Sequence, residues 1–164
     1  MHRFESVQAF IRERKKLPHW QGPGESYFVR FSLRDPRIAD LTDDGIAPHV
    51  IASLRHQDQE THLLFDYTIM PNHVHCILKP LPSDTGTHNL LGVLCSIKRF
   101  SALQINRVLH RTGRLWQEEN YDHVLRNLQD YQEKSLYIYM NPVKAGLVKI
   151  PSDWPWWGVG SGVR

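Results

Sequence analysis

Cysteine is scarce in these 164 residues: only Cys76 and Cys95 occur, they form no C-x-x-C pair, and neither sits in a zinc-finger spacing. That excludes a disulfide-built scaffold, and such sparse thiols suit a reducing compartment, so a cytoplasmic location is expected. Long apolar runs are missing as well. No stretch approaches the ~20 apolar residues that span a bilayer, and the basic N-terminus has no apolar run after Met1, which argues against export and against a membrane partner. There is no P-loop, no internal repeat and no low-complexity tract. A hydrophobic share of 41% with 23% charged residues is that of a globular chain. The length suits one domain over residues 1–164, with a basic N-terminal segment over about 1–20 and a Trp-rich C-terminal segment over about 151–164.

Acid is absent from one long stretch. Thr85 to Gln117 holds Lys98, Arg99, Arg107, Arg111 and Arg114 with no aspartate or glutamate, and the first twenty residues carry Arg3, Arg12, Arg14, Lys15 and Lys16 against Glu5 and Glu13. The net charge of +3 is modest, so this unevenness matters more than the total. The two stretches are candidate phosphate-binding patches, or else a solvated helix face and a basic tail.

The pattern of elements is α+β. Tyr27 to Leu33 alternates as a half-buried strand after the turn at 21–26, and Ile46 to Gln57 is helical, with Asp43 or Asp44 as its cap. Thr61 to Met70 and His73 to Leu81 form a hairpin about Pro71 and Asn72. Asn89 to Arg111 has helical apolar spacing ended by Gly113. A short strand follows near Asp122 to Leu125, then a helix from Gln129 to Met140 that starts near Asn127 or Asp130 and is bounded by Pro142. The order implies a ferredoxin-like antiparallel sheet with helices packed mainly on one face.

Two strings carry chemistry. In MPNHVHCI, strand alternation puts His73 and His75 on one face, roughly 7 Å apart, and turns Val74 and Cys76 to the other. Two imidazoles sharing a face can build half of a metal shell, or they are ordinary surface histidines. In SLYIYMNPVKAG, Tyr137 and Asn141 share a helical face while Tyr139 points roughly 200° away from Tyr137. One tyrosine can face a site and the other the core, or both are packing residues.

Together, MPNHVH and, about sixty residues later, YIYMNPVKAGLV resemble the single-tyrosine HUH transposases, and among them the REP-associated tyrosine transposase branch. The strings RKKLPHW, YFVRFSL, LWQEENYDHVLRN and SDWPWW and the Lys98-Arg99 helix extend that resemblance over most of the chain. It implies an HUH endonuclease-like fold and a DNA nickase and strand transferase acting on single-stranded DNA, on hairpin-forming repeats, through a covalent 5′-phosphotyrosine. Residue by residue it implies Tyr137 as nucleophile and His73, His75 and Asn141 as ligands of a divalent ion, Mg²⁺ or Mn²⁺, in a monomer or homodimer. The DNA backbone is then expected on Lys98, Arg99, Arg107, Arg111, Arg114, Lys15 and Lys16.

Trp116, Trp154, Trp156 and Trp157 are candidate base-stacking platforms, with core packing the stronger expectation for at least two of them. The main alternative is a non-cutting, sequence-specific single-stranded DNA-binding protein of the same fold. A phosphoesterase using H-x-H-x-H is excluded by Ile77, and an amidohydrolase barrel needs ~250 residues.

Overall fold

The computed structural model describes residues 7–14 and 24–163, so Lys15 and Lys16 of the expected DNA-contacting set lie outside the described residues. The elements run α1 (Val7–Glu13), β1 (Ser26–Ser32), α2 (Ala47–Arg55), β2 (His62–Ile69), β3 (His73–Pro80), a small hairpin of β4 (Pro82–Ser83) and β5 (Gly86–Thr87), α3 (Leu90–Val108), β6 (Tyr121–Leu125), α4 (Leu128–Lys144) and β7 (Trp157–Val159). The main sheet has the order β6-β1-β3-β2-β7 and is antiparallel throughout. With the small hairpin set aside, β1-α2-β2-β3-α3-β6 is the split βαββαβ unit expected from the sequence.

Alternation along β3 sorts the molecule into two sides. Val74, Cys76 and Leu78, with Val29 and Phe31 of β1, face α2 and α3 in one apolar core that also takes Val50, Leu54, Leu94 and Ile97. Ile77 of β3, Phe28 of β1 and Leu125 of β6 face the other way, into a second cluster with Phe10 of α1 and Tyr131, Ile138 and Tyr139 of α4. Thus α2 and α3 share one face as expected, while α4 covers part of the opposite face. Both sides of the central strands bury side chains, apolar ones toward α2 and α3 and a mixture that includes Thr68, His75 and Lys79 on the other, so both sides take a cover.

Several boundaries depart from expectation. α2 has no side-chain cap from Asp43; that carboxylate instead accepts from the Gly45 N–H at 2.8 Å and closes the preceding turn. α3 stops at Val108, short of Gly113, and His110 then takes a left-handed conformation with φ of 50°. The larger correction concerns α4. Asn127 caps it as expected, accepting from the Asp130 N–H at 2.8 Å, but the helix runs through Pro142 to Lys144. It ends at Gly146, φ 74°, with Leu147 N–H donating to Pro142 O and Gly146 N–H to Val143 O, a Schellman closure. Pro142 is buried in the last turn, where the missing N–H disturbs little that follows.

The Trp-rich C-terminal segment is part of the fold. β7 pairs with β2, Trp157 is buried, and the Trp154 indole N–H donates to Ile69 O at 3.2 Å. α1 is held down by Arg14, whose guanidinium donates to the buried Asp66 at 2.8 Å; Tyr131 Oη donates to the other oxygen of the same carboxylate. No helix among the described residues is long and apolar enough to cross a membrane.

Candidate active site

The tight turn between β2 and β3, closed by Met70 N–H donating to His73 O at 2.8 Å, delivers His73 to the start of the central strand. His75 follows two residues on, paired with Arg30 of β1 and Thr68 of β2. Both histidines point to the α4 side, and their ring centroids are 4.8 Å apart. His73 Nδ1 is 2.7 Å from Asn72 Oδ1, and because an amide oxygen only accepts, Nδ1 carries the proton. Its Nε2 is therefore left with a lone pair, the arrangement in which an outer hydrogen bond orients a ligand imidazole. His75 is 3% exposed, and its Nδ1 has no hydrogen-bond partner among the described residues; neither has the buried Thr68 hydroxyl opposite it.

Electrostatics keep both rings neutral. Burial, helped by the Arg30 guanidinium, pushes His73 down to about 4. Burial first, then His73, Arg30 and Lys134, pushes His75 down to about 3. A ligand imidazole must be unprotonated, and here it is so across the neutral range.

From α4, Tyr137 comes down on this pair. Its ring centroid is 5.5 Å from that of His75 and 5.8 Å from that of Phe28, and Phe28 stacks on His75 at 5.3 Å. Tyr137 remains 37% exposed. Tyr139 is 2% exposed on another side of the helix, stacked on Phe10 at 4.3 Å and edge-on to Trp157 at 5.0 Å. Because α4 continues through Pro142, Asn141 stays one helical turn beyond Tyr137 on the same face. Two cations flank the Tyr137 ring: Lys134 Nζ lies 5.5 Å and Lys144 Nζ 5.3 Å from its centroid, and Lys134 is also 4.8 Å over Phe28.

The expected DNA-contacting residues fall elsewhere. α3 lies on the opposite side of the sheet from the histidines. The Lys98 ammonium anchors a loop: it donates to Gln117 O at 2.5 Å, Glu118 O at 3.2 Å and Asn120 Oδ1 at 2.9 Å, which uses its three donors. Arg111 donates to Asn106 Oδ1 at 2.6 Å, and Arg114 pairs with Glu118 at 3.3 Å. Arg99 and Arg107 are exposed. Trp116 is buried and donates to Ser101 Oγ at 3.0 Å, so it is no base platform.

Sequence reasoning missed Phe28, Arg30, Lys134 and Lys144. Arg30 shares strand parity with Phe28, and Lys134 and Lys144 stand three before and seven after Tyr137, which is same-face helical spacing. Among the described residues no three His, Cys, Asp or Glu side chains gather as a metal cluster. A divalent ion here would rest on neutral donors, the two imidazoles and the Asn141 amide. The orphaned His75 Nδ1 and the lone pair on His73 Nε2 fit that role.

No family model matches the chain. It is 32% identical to a REP-associated tyrosine transposase of Escherichia coli K12 over 80% of this chain and 74% of that one. It is 28% identical to a Haemophilus influenzae KW20 Rd protein described under the same family name, over 81% of this chain and 78% of that one. The solved structure of a REP-associated tyrosine transposase bound to a REP hairpin superposes with a TM-score of 0.65 at 29% identity, covering 82% of this chain and 76% of the other.

Proposed function

Because this chain belongs to the REP-associated tyrosine transposases, enzymes of the HUH type, we propose that it cuts and rejoins single-stranded DNA through a 5′-phosphotyrosine on Tyr137. The observation that carries the reading is the position of Tyr137, exposed, packed against His75 of the neutral histidine pair and between two lysines. The relative solved with a REP hairpin supports hairpin-forming repeats as the substrate class, and the cut is proposed to fall in a single-stranded flank of the hairpin.

The Tyr137 phenol gives its proton to solvent, and its oxygen attacks the scissile phosphorus. One O–P bond forms, the bond to the 3′-oxygen breaks, and that oxygen leaves as a 3′-hydroxyl once protonated. The phosphodiester energy is kept in the new bond, so a 3′-hydroxyl from another strand can attack the same phosphorus and release tyrosine, joining the strands without a nucleotide cofactor. Lys134 and Lys144 supply positive charge beside the Tyr137 ring, which favours the phenolate before attack and after release. His73, His75 and Asn141 would hold Mg²⁺ or Mn²⁺, which supplies Lewis-acid neutralisation of the phosphate when bound. Exposed Arg99 and Arg107 remain candidates for holding a duplex stem away from the cut.

Incubation with a hairpin oligonucleotide and Mn²⁺, followed by denaturing electrophoresis and mass spectrometry, tests this. The expected product is an adduct on Tyr137 that is lost in Tyr137→Phe and kept in Tyr139→Phe. An adduct on Tyr139 overturns the assignment, and an adduct on neither points to a non-cutting DNA-binding protein.

A further inference from the structure

Tyr121 and Tyr137 are the only exposed phenylalanine, tyrosine or tryptophan side chains among the described residues, at 56% and 37%. Both meet the same buried ring: Phe28 lies 5.8 Å from Tyr137 and 6.3 Å from Tyr121, edge-on to each. The aromatic surface therefore runs from the histidines across β1 to the edge strand β6, with Tyr121 at its outer end. Its surroundings are cationic. Tyr121 pairs with Arg30 and His123 with Phe28 across the strands, so these side chains share the face with Lys134 above Phe28. Asp122, the one acid in β6, points to the opposite face, where its charge acts on Tyr27.

We propose that Tyr121 is a stacking platform for a base of the single strand that passes Tyr137, with Arg30 and Lys134 flanking the backbone between the two rings. This rests on the reading of Tyr137 as nucleophile and adds how the strand is held beside it. An exposed ring on a sheet edge has one face free, and every nucleobase can stack on such a face whatever its sequence. A tyrosine serving only to pack would be covered, as Tyr131 and Tyr139 are.

The test uses Tyr137→Phe, so that binding is measured without cutting, and a hairpin carrying an oligo(dT) flank with an abasic site walked along it. Tyr121→Leu should weaken binding about tenfold, whereas Tyr121→Phe and Tyr121→Trp should hold it. At one flank position the abasic substitution should weaken the parent by a similar factor and cost the Tyr121→Leu variant nothing more. Losses that simply multiply at every position overturn the proposal. A readout without a Tyr121 variant is 2-aminopurine placed along the flank: quenching on binding is expected at that same position, and its absence everywhere overturns the proposal too. Failure of the wild-type chain to form an adduct defeats the catalytic reading while stacking remains measurable by binding. Intact adduct formation with multiplying losses defeats only the stacking, and no binding to the flank at all defeats both.

Discussion

The two faces of the sheet use the same strand in opposite ways. On one side of β3, Val74, Cys76 and Leu78 are completely buried beneath α2 and α3. On the other, α4 and α1 cover only part of the surface: His75 lies buried against Tyr137 of α4, and His73, Arg30 and Tyr121 continue the same face toward the open edge. The difference separates stability from chemistry. A central strand fixed on both edges by β1 and β2 and packed from behind is a rigid support, and groups mounted on its front can be polar without weakening the core. It also separates the densest positive charge along the chain from the histidine face. The acid-free stretch builds α3, which belongs to the closed face, and part of its charge is spent tying Lys98, Arg111 and Arg114 to neighbouring segments.

The strongest way to break this comparison is to strip the front face of its histidines. His73→Ala with His75→Ala should reduce adduct formation at least about a hundredfold, since Lewis-acid neutralisation is worth several kcal/mol in the transition state. Thermal unfolding should show that the fold persists. If the double variant cuts at the wild-type rate, the front face is not a metal-dependent site.

A second substitution sharpens the contrast in stability. Leu78→Ala empties part of the closed core and should cost about 2–5 kcal/mol in urea unfolding. His73→Ala, on the half-exposed face of the same strand, should stay within about 1 kcal/mol. Equal losses would mean that the two faces are not divided as described.

Much of this was legible in the sequence, because it rests on local periodicity. Alternation in HVH put both histidines on one face. Helical spacing separated Tyr137 from Tyr139, and Asn127 marked the start of α4. What was hidden depends on contacts between distant segments. Pro142 reads as a helix stop, yet burial of its ring and the closure at Gly146 carry α4 past it and keep Asn141 in line with Tyr137. Nothing in the spacing of Lys98 says that the loop at 117–120 will occupy its ammonium. Core packing is the stronger expectation for at least two of the four candidate tryptophans, and Trp116 and Trp157 are the two drawn into the cores. Tyr121 was passed over because its importance comes from standing beside Phe28 across two strands.

The smallest expected effect discriminates most directly between the faces, because it asks which lysine the DNA backbone meets. Lys134 sits over Phe28 and Tyr137 with its charge toward the proposed path of the strand. Neutralising one phosphate contact to a single strand lowers the slope of log affinity against log salt by ~0.7, so Lys134→Gln should flatten the dependence by about that much. Lys98 has its donors satisfied by Gln117, Glu118 and Asn120, so Lys98→Gln should leave the slope unchanged. It should instead lower the unfolding temperature, since each lost hydrogen bond is worth about 0.5–1.5 kcal/mol. Titrations at several salt concentrations, run beside thermal melts of the same proteins, read both effects. A flattened slope for Lys98→Gln with an unchanged one for Lys134→Gln would put the DNA on α3 and move the nucleic-acid surface to the closed side of the sheet.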